Sequence, residues 1–185
     1  MYKRQYLNKA EQKLNQVQGT LYIEAQNYLI RVYKGQSEKE KAKNAYQNCM
    51  RNAPEHIMSH LNYLDTILPK WLGSREETDA FIESNRSKNK LLVYLLEGKR
   101  VLEYFSEDED TSICQEYINQ YEPQISQLKS DNPNRFILFN YVYFFADEVG
   151  NTSLEKKYLK KVKEFYATSI YGPLRSKKEI KKRLN

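Results

Sequence analysis

The sequence predicts an all-α protein, an array of antiparallel helical hairpins with about eight helices in total. Three observations predict this fold class. Apolar residues recur every three or four positions through most of the chain. Proline, glycine and helix-capping residues separate these segments. Strands would be indicated by sustained alternation of apolar and polar residues with Asn-Gly turns, and the sequence contains neither.

The first two helices are predicted over residues 3–17 and 21–34. The apolar residues of the first helix are spaced by four, four and three positions, which places them on one face: Tyr6, Ala10, Leu14 and Val17. Gly19 and Thr20 are expected to end this helix and to cap the second. The second helix is rich in Tyr, Ile and Leu, so we expect it to be buried.

The third helix is predicted to begin at Ser37, after a break at Gly35. Ser37 and Glu40 have the spacing of a capping box, in which each side chain accepts a backbone hydrogen bond from the other residue. The second and third helices then form a hairpin.

A corner between two helices is predicted at residues 69–77, inside a second hairpin at 57–87. The corner carries a helix-breaking proline, a turn glycine and a capping box: Pro69, Gly73, and Ser74 with Glu77. Trp71, the only tryptophan of the chain, lies within it. We expect Trp71 to be a buried wedge that sets the angle between the two helices.

Four further helices are predicted, over residues 90–105, 111–129 and 135–149 and from Thr152 onward. An acidic loop is expected at 106–110. Pro123 cannot donate to a helix, so the segment around it is expected to be one kinked helix or two short ones. Thr152 and Glu155 have capping-box spacing.

Residues 23–56 resemble a tetratricopeptide repeat. The second helix of that repeat carries a small residue, an aromatic residue, a second small residue and a proline at fixed spacing, matched here by Ala42, Tyr46, Cys49 and Pro54. Leu29 and Tyr33 match first-helix positions, whereas Ile30 stands where the family has glycine. Residues 139–172 match in spacing. The resemblance implies a tetratricopeptide-like right-handed α-solenoid with repeats of roughly 34 residues.

The corner also resembles an uncharacterised family of bacterial tetratricopeptide-like proteins. That family carries a Pro-Arg-Trp-Gly-Gly-Ser-like signature, and residues 69–74 are Pro-Lys-Trp-Leu-Gly-Ser. Lys70 therefore replaces an arginine, and Leu72 replaces a glycine. The resemblance covers about residues 40–165 and implies a fold more than a function.

Tetratricopeptide arrays commonly bind partners in a groove formed by the first helices of their repeats. The matched register places seven expected partner-binding residues on that face: Glu24, Asn27, Arg31, Lys34, Asn140, Tyr143 and Asp147. Polar side chains on apolar helices need partners or water, so an internal hydrogen-bond network is an equally open alternative.

The basic residues are concentrated near the C-terminus. The chain has a net charge of +6, and residues 156–183 contain eleven Lys or Arg and two Glu. Such a cluster can bind RNA or DNA phosphates, because it releases their counterions. The alternative is that its lysines form the solvated face opposite Leu159 and Val162. The basic patch consists of Lys156, Lys157, Lys160, Lys161, Lys163, Arg175, Lys177, Lys178, Lys181, Lys182 and Arg183.

No catalytic or cofactor-binding motif is found in the sequence, so we expect a protein that is not an enzyme and has no cofactor and no metal. His56 and His60 can share a helical face, but Ile57 stands where a His-Glu-x-x-His metalloprotease motif has its glutamate. No third ligand is apparent nearby, so a structural role is expected. Residues 107–110 lack the alternating oxygens and central glycine of a calcium loop.

Length and composition indicate one helical-repeat domain at 1–171, followed by a basic tail at 172–185. Cys49 and Cys114 are far apart and suggest neither a disulfide framework nor a metal site. The sequence shows no secretory signal and no apolar run long enough to span a membrane. We therefore expect a cytoplasmic protein in a reducing compartment, without membrane association.

The sequence thus predicts a bacterial protein-protein interaction module. The more specific hypothesis is an immunity protein that binds and neutralises a toxin. It rests on the Lys-, Asn- and Tyr-rich composition and on the missing catalytic motifs. Two alternatives remain open: an RNA-binding or RNA-processing factor that uses the basic patch, and a secretion-system adaptor or chaperone.

Overall fold

A computed structural model describes residues 2–87, 89–129 and 131–162. Over these residues the chain forms α-helices, one short 3₁₀ helix at Gly19–Leu21 and no strand, so the all-α prediction is confirmed. The α-helices of this described part are α1 Tyr2–Leu14, α2 Tyr22–Gln36, α3 Lys39–Asn52, α4 Ile57–Ile67, α5 Arg75–Asn85, α6 Lys90–Asp108, α7 Thr111–Ile125, α8 Arg135–Glu148 and α9 Thr152–Val162.

The chain divides into two compact units, an N-terminal unit at 1–96 and a C-terminal unit at 97–185. The division falls inside α6. The boundary predicted at residue 171 lies outside the described residues, and so does the predicted basic tail at 172–185.

The core of the N-terminal unit forms where α2, α3 and α4 meet. Its buried members include two residues of the small-residue pattern, Ala42 and Cys49, together with Leu29, Ile30, Tyr33, Ala45, Tyr63 and Ile67. Small side chains on α3 let the backbones approach, and the large side chains of α2 and α4 fill the remaining space. A second buried cluster in this unit contains Leu64, Ile82, Leu92 and Leu96.

The junction between α2 and α3 differs from the prediction. Helix α2 continues through Gly35 and ends at Gln36, and Ser37 follows in a left-handed conformation with φ 65°. Its backbone N–H donates to the Lys34 carbonyl, as at many helix C-termini. The prediction that Ser37 caps α3 is therefore wrong, because Ser37 is used to end α2; Glu38 occupies the N-cap position instead.

At the corner, the predicted break after Leu68 and the predicted Ser74 cap are confirmed, whereas the Glu77 carboxylate accepts from Lys39 Nζ. Leu68, which precedes Pro69, is extended with ψ 148°, and the Ser74 side chain accepts from the Glu77 backbone N–H at 3.2 Å. A Cβ atom at Gly73 would lie 2.0 Å from the Ile67 carbonyl oxygen, so only glycine fits at this position.

The C-terminal unit is built around α8, which is buried on almost every side. Tyr143, Phe144 and Phe145 are fully buried, and Tyr117 of α7 packs edge-on against Phe145 with ring centroids 5.0 Å apart. Helix α6 is unbroken at Gly98, where an added Cβ would lie 2.4 Å from the Tyr141 ring. The glycine therefore serves close packing against α8.

Three other boundaries in the C-terminal unit are refined. Helix α6 extends to Asp108, so most of the predicted acidic loop is helical. Helix α7 is a single helix that contains Pro123. Asn151, rather than Thr152, caps α9, since its side chain accepts from the Leu154 backbone N–H at 3.1 Å. Across the described helices, none has both the length and the apolar character needed to cross a bilayer.

Candidate functional site

The N-terminal unit contains a concave groove of about 620 Å³ along α1 and α2, closed at one side by the corner. This volume lies in the range of small-ligand and peptide anchor sites. We call it the α1–α2 groove. Its lining residues are Leu7, Ala10, Lys13, Leu14, Tyr28, Arg31, Val32, Lys34, Gly35 and Trp71.

The floor of the groove is formed by one face of each helix. Leu7 lies next to Gly35, where an added Cβ would be 3.1 Å from the Leu7 Cδ1 atom. The Gln36 Nε2 atom donates to Asn8 and Glu11, both at 2.9 Å, so the end of α2 lies beside the middle of α1. The two helices thus run antiparallel, and small residues along the floor leave space between their larger neighbours.

Trp71 lines the groove and is 49% exposed, so the predicted buried wedge is wrong. The Lys34 ammonium lies over its indole ring, 4.5 Å from the centroid, and also pairs with Asp65. The corner turns the indole outward because the backbone of residues 68–73 folds back on the end of α4, with the Leu72 N–H donating to the Thr66 carbonyl. Trp71 is therefore a surface aromatic held in place by a cation–π contact.

Among the residues that the structure describes, three cations line the groove and no carboxylate does. Lys34 is neutralised by Asp65. Lys13 and Arg31 are exposed, and neither has an ion pair or side-chain hydrogen bond with any described residue. The groove therefore combines an apolar floor with two uncompensated positive charges.

Of the seven expected partner-binding residues, Arg31 and Lys34 line this groove. Glu24 is exposed and lies 3.3 Å from His56 Nε2. Asn27 is only 6% exposed, and its Oδ1 atom accepts from Asn62 at 2.8 Å and from Ser59 at 3.3 Å. For Asn27 the structure therefore favours the internal network left open by the sequence.

The remaining three expected residues belong to α8. Asn140 and Tyr143 are fully buried, and the Asn140 Nδ2 atom donates to the Phe136 carbonyl at 2.6 Å. Neither side chain faces a surface that a partner could reach in this conformation. Asp147 is partly exposed near the end of the helix. The residues that the repeat pattern assigns to the binding face therefore lie in the core here, because α8 is apolar on nearly every side rather than amphipathic.

The two histidines make different contacts. His60 is 1% exposed, its Nε2 atom lies 2.8 Å from the Pro54 carbonyl oxygen, and its Nδ1 atom lies 3.0 Å from the Tyr46 hydroxyl. His56 contacts Ser59 and Glu24. Within the described ranges no group of three or more potential ligands is arranged to hold a metal ion.

Four lysines of the predicted basic patch lie on α9. Lys156 and Lys160 are exposed, Lys157 pairs with Glu122 at 2.7 Å, and Lys161 lies over the ring of Phe139 at 4.6 Å. Two of the four are thus engaged within the unit. The rest of the predicted patch lies outside the described residues: Lys163, Arg175, Lys177, Lys178, Lys181, Lys182 and Arg183.

Glu122 is an electrostatic junction between α7 and α9. Burial raises the pKa of its carboxyl, but hydrogen bonds from Lys157 and Tyr158 outweigh burial and lower that pKa overall. Burial, together with the same carboxylate, raises the pKa of the Tyr158 hydroxyl above its usual value. The junction stabilises helix packing and has no open position for a ligand among these three groups.

Comparisons with protein-family models, with curated proteins and with solved structures gave no significant match to the chain.

Sequence reasoning missed the apolar half of the groove. Leu7, Ala10 and Leu14 were recognisable as one face of α1 from their spacing, but that face is expected to be buried in any helical hairpin. Its partial exposure depends on how α1 packs against α2 and on the outward position of Trp71. Neither follows from local sequence.

Proposed function

We propose that this chain is a non-enzymatic protein-protein interaction module, and that the α1–α2 groove binds an acidic segment of a partner protein. The observation that carries the proposal is the pairing of an apolar floor with Lys13 and Arg31, two cations that lack a counter-charge among the described residues. An acidic partner supplies that charge while it covers the floor.

The residue types at the groove support a protein partner. Tyr28 and Trp71 are both about half exposed, and both line the groove together with Arg31. Tyr, Trp and Arg are the residues most enriched among interface hot spots, and each offers a large side chain that combines apolar surface with a polar or charged group. Exposure of such aromatics around a concave apolar surface is typical of a binding site.

We propose a tetratricopeptide-like repeat arrangement for the helices that present this surface. The α2–α3 hairpin supports it, since Ala42 and Cys49 are fully buried at the positions where the repeat pattern has small residues. In such an array the first helix of a repeat faces the binding side. Arg31 and Lys34 belong to that helix, α2.

Affinity purification from the native cells tests the proposal, followed by reconstitution with the purified partner. Arg31→Glu is expected to weaken binding at least tenfold, about 1.4 kcal/mol, because it sets two acidic groups against each other. Lys43→Glu is the matched control, since Lys43 is exposed on α3 and does not line the groove. If both variants bind the purified partner with equal affinity, the groove is not the contact surface.

Toxin neutralisation is the more specific form of this proposal. A toxin domain with an acidic surface near its active site has the charge that the groove requires. Co-expression tests it: the wild-type chain is expected to restore growth to cells that produce a toxin encoded beside its gene, and Arg31→Glu is expected to lose that protection. Equal protection by both chains excludes the groove as the neutralising surface.

A further inference from the structure

We infer that the occupant of the α1–α2 groove is an acidic amphipathic helix, which packs along α1 and α2 over about two turns. This inference rests on the proposed function, because it names the part of the partner protein that fills the groove.

Backbone hydrogen bonding favours a helix over an extended segment. The groove lies between two helices, whose backbone groups bond internally, and the described part of the chain has no strand edge to offer. Even at the helix ends the carbonyls are used: Leu14 accepts from Val17, and Lys34 accepts from Ser37. An extended peptide would leave those of its own amides that face the apolar floor without partners, which is unfavourable. A helix satisfies its amides internally.

The spacing of the lining residues matches a helix in register and length. On α1 the apolar lining residues are Leu7, Ala10 and Leu14, three and four positions apart. The lining of α2 repeats this spacing in the opposite direction. Seven residues of helix rise about 10 Å, which is two turns. An occupant helix therefore fits with apolar side chains at positions i, i+3 or i+4, and i+7.

The positive charges of the groove determine which residues the occupant helix needs beside its apolar face. Lys34 already has Asp65 as a counter-charge and contacts Trp71. Lys13 and Arg31 have none among the described residues, so the occupant needs Asp or Glu beside its apolar face. A basic amphipathic helix would instead bring like charges together.

A peptide-display selection against the purified full-length chain tests this inference without a known partner. Random 15-residue peptides that lack tryptophan are selected for binding to the wild-type chain and against binding to a Lys13→Glu, Arg31→Glu double variant. A Lys9→Glu, Lys43→Glu double variant serves as the charge-matched control, because these exposed lysines do not line the groove. Circular dichroism of each variant verifies that it is folded.

The expected binders carry aliphatic residues at helical spacing and flanking Asp or Glu. Because Trp71 is the only tryptophan of the chain and lines the groove, a bound peptide is expected to shift the tryptophan emission to shorter wavelength. The peptide should gain helical circular dichroism on binding, lose at least tenfold in affinity with a central proline, and lose similarly against the Lys13→Glu, Arg31→Glu chain.

Two results overturn the inference. One is that groove-dependent binders are extended, tolerate a central proline or are basic, in which case the proposed function can still hold with another kind of segment. The other is that no selected binder distinguishes the groove variant from the control. Conversely, if acidic helical peptides bind as expected but no native partner depends on Arg31, the proposed function fails and the inference about the groove stands.

Discussion

The Tyr46 ring stacks on the Tyr63 ring, with centroids 4.4 Å apart and planes inclined by 8°. This pair holds the Tyr46 hydroxyl 3.0 Å from His60 Nδ1. The Pro54 carbonyl at the other side of the imidazole can only accept, so Nε2 carries a proton; when the ring is neutral, Nδ1 accepts from the Tyr46 hydroxyl. A hydrogen-bonded chain therefore links α3 to α4 and to the loop before α4.

Tyr46→Phe is expected to lower the free energy of unfolding by about 1 kcal/mol, because it leaves the buried His60 Nδ1 atom without this donor. Tyr28→Phe is the control, since Tyr28 is half exposed and its hydroxyl has no bond with the described residues. Urea unfolding of both variants measures the difference. Equal stability of the two variants would show that the Tyr46 hydroxyl contributes nothing.

Gly73→Ala is expected to destabilise the N-terminal unit by about 1–3 kcal/mol, because its Cβ would meet the Ile67 carbonyl oxygen, a backbone atom that cannot move away cheaply. Gly150→Ala provides a comparison in the C-terminal unit. Gly150 has φ +71° and open space around it, so only the backbone penalty of roughly 1 kcal/mol applies. Thermal unfolding followed by Trp71 fluorescence reports on the first variant. A Gly73→Ala protein as stable as wild type would refute the close contact.

Glu122 is expected to make stability depend on pH in the acid range. Its folded-state pKa is lower than its usual value, so its contribution is present above about pH 4.3, the unfolded pKa, and is lost as the pH falls through the folded pKa. Glu122→Gln should therefore have a lower free energy of unfolding than wild type at pH 7, and that free energy should fall less as the pH is lowered into the acid range. Urea unfolding at a series of pH values from 7 downward measures this.

The control for Glu122 is Glu116→Gln on the same helix, where the carboxylate is exposed. Removing that charge is expected to leave the acid limb within about 0.5 kcal/mol of wild type. If Glu122→Gln and Glu116→Gln give the same curve, the bonds from Lys157 and Tyr158 do not stabilise the folded state.

The two cysteine thiols are expected to be unreactive in the folded chain. Both are free and buried, and burial raises the pKa of Cys49 and raises that of Cys114 to about 12. At pH 8 only about one Cys114 thiol in ten thousand is then a thiolate. A colorimetric thiol reagent should react with neither cysteine in buffer and with both in guanidinium chloride. Rapid reaction in buffer would contradict their burial.

The features that the sequence predicted correctly depend on neighbouring residues. Ser74 caps α5 because the serine and Glu77 are only three positions apart, and Ala42 and Cys49 are buried because small residues at that spacing make a contact face on α3. All residues of such a motif lie within one or two helical turns, so its prediction does not depend on how distant parts of the chain fold.

The features that the sequence did not predict depend on distant residues. Gly98 lies inside α6, and its role is set by the Tyr141 ring, more than forty positions away in the chain. Trp71 looked buried because it is large and apolar, yet the backbone of the corner turns it outward toward Lys34. The repeat pattern predicted that Asn140 and Tyr143 lie on a surface, but both are buried, because α8 is apolar on nearly every side.

Ser37 bears on how this protein can be engineered. It has φ 65°, in a region that disfavours side chains with a Cβ atom by roughly 1–2 kcal/mol, and Glu109, just after α6, has φ 54°. Neither residue lines the groove. Glycine at these two positions would relieve the backbone cost and leave the groove residues unchanged. The chain can therefore be stabilised by substitutions outside its candidate site. A variant with glycine at both positions would tolerate more destabilising substitutions inside the groove.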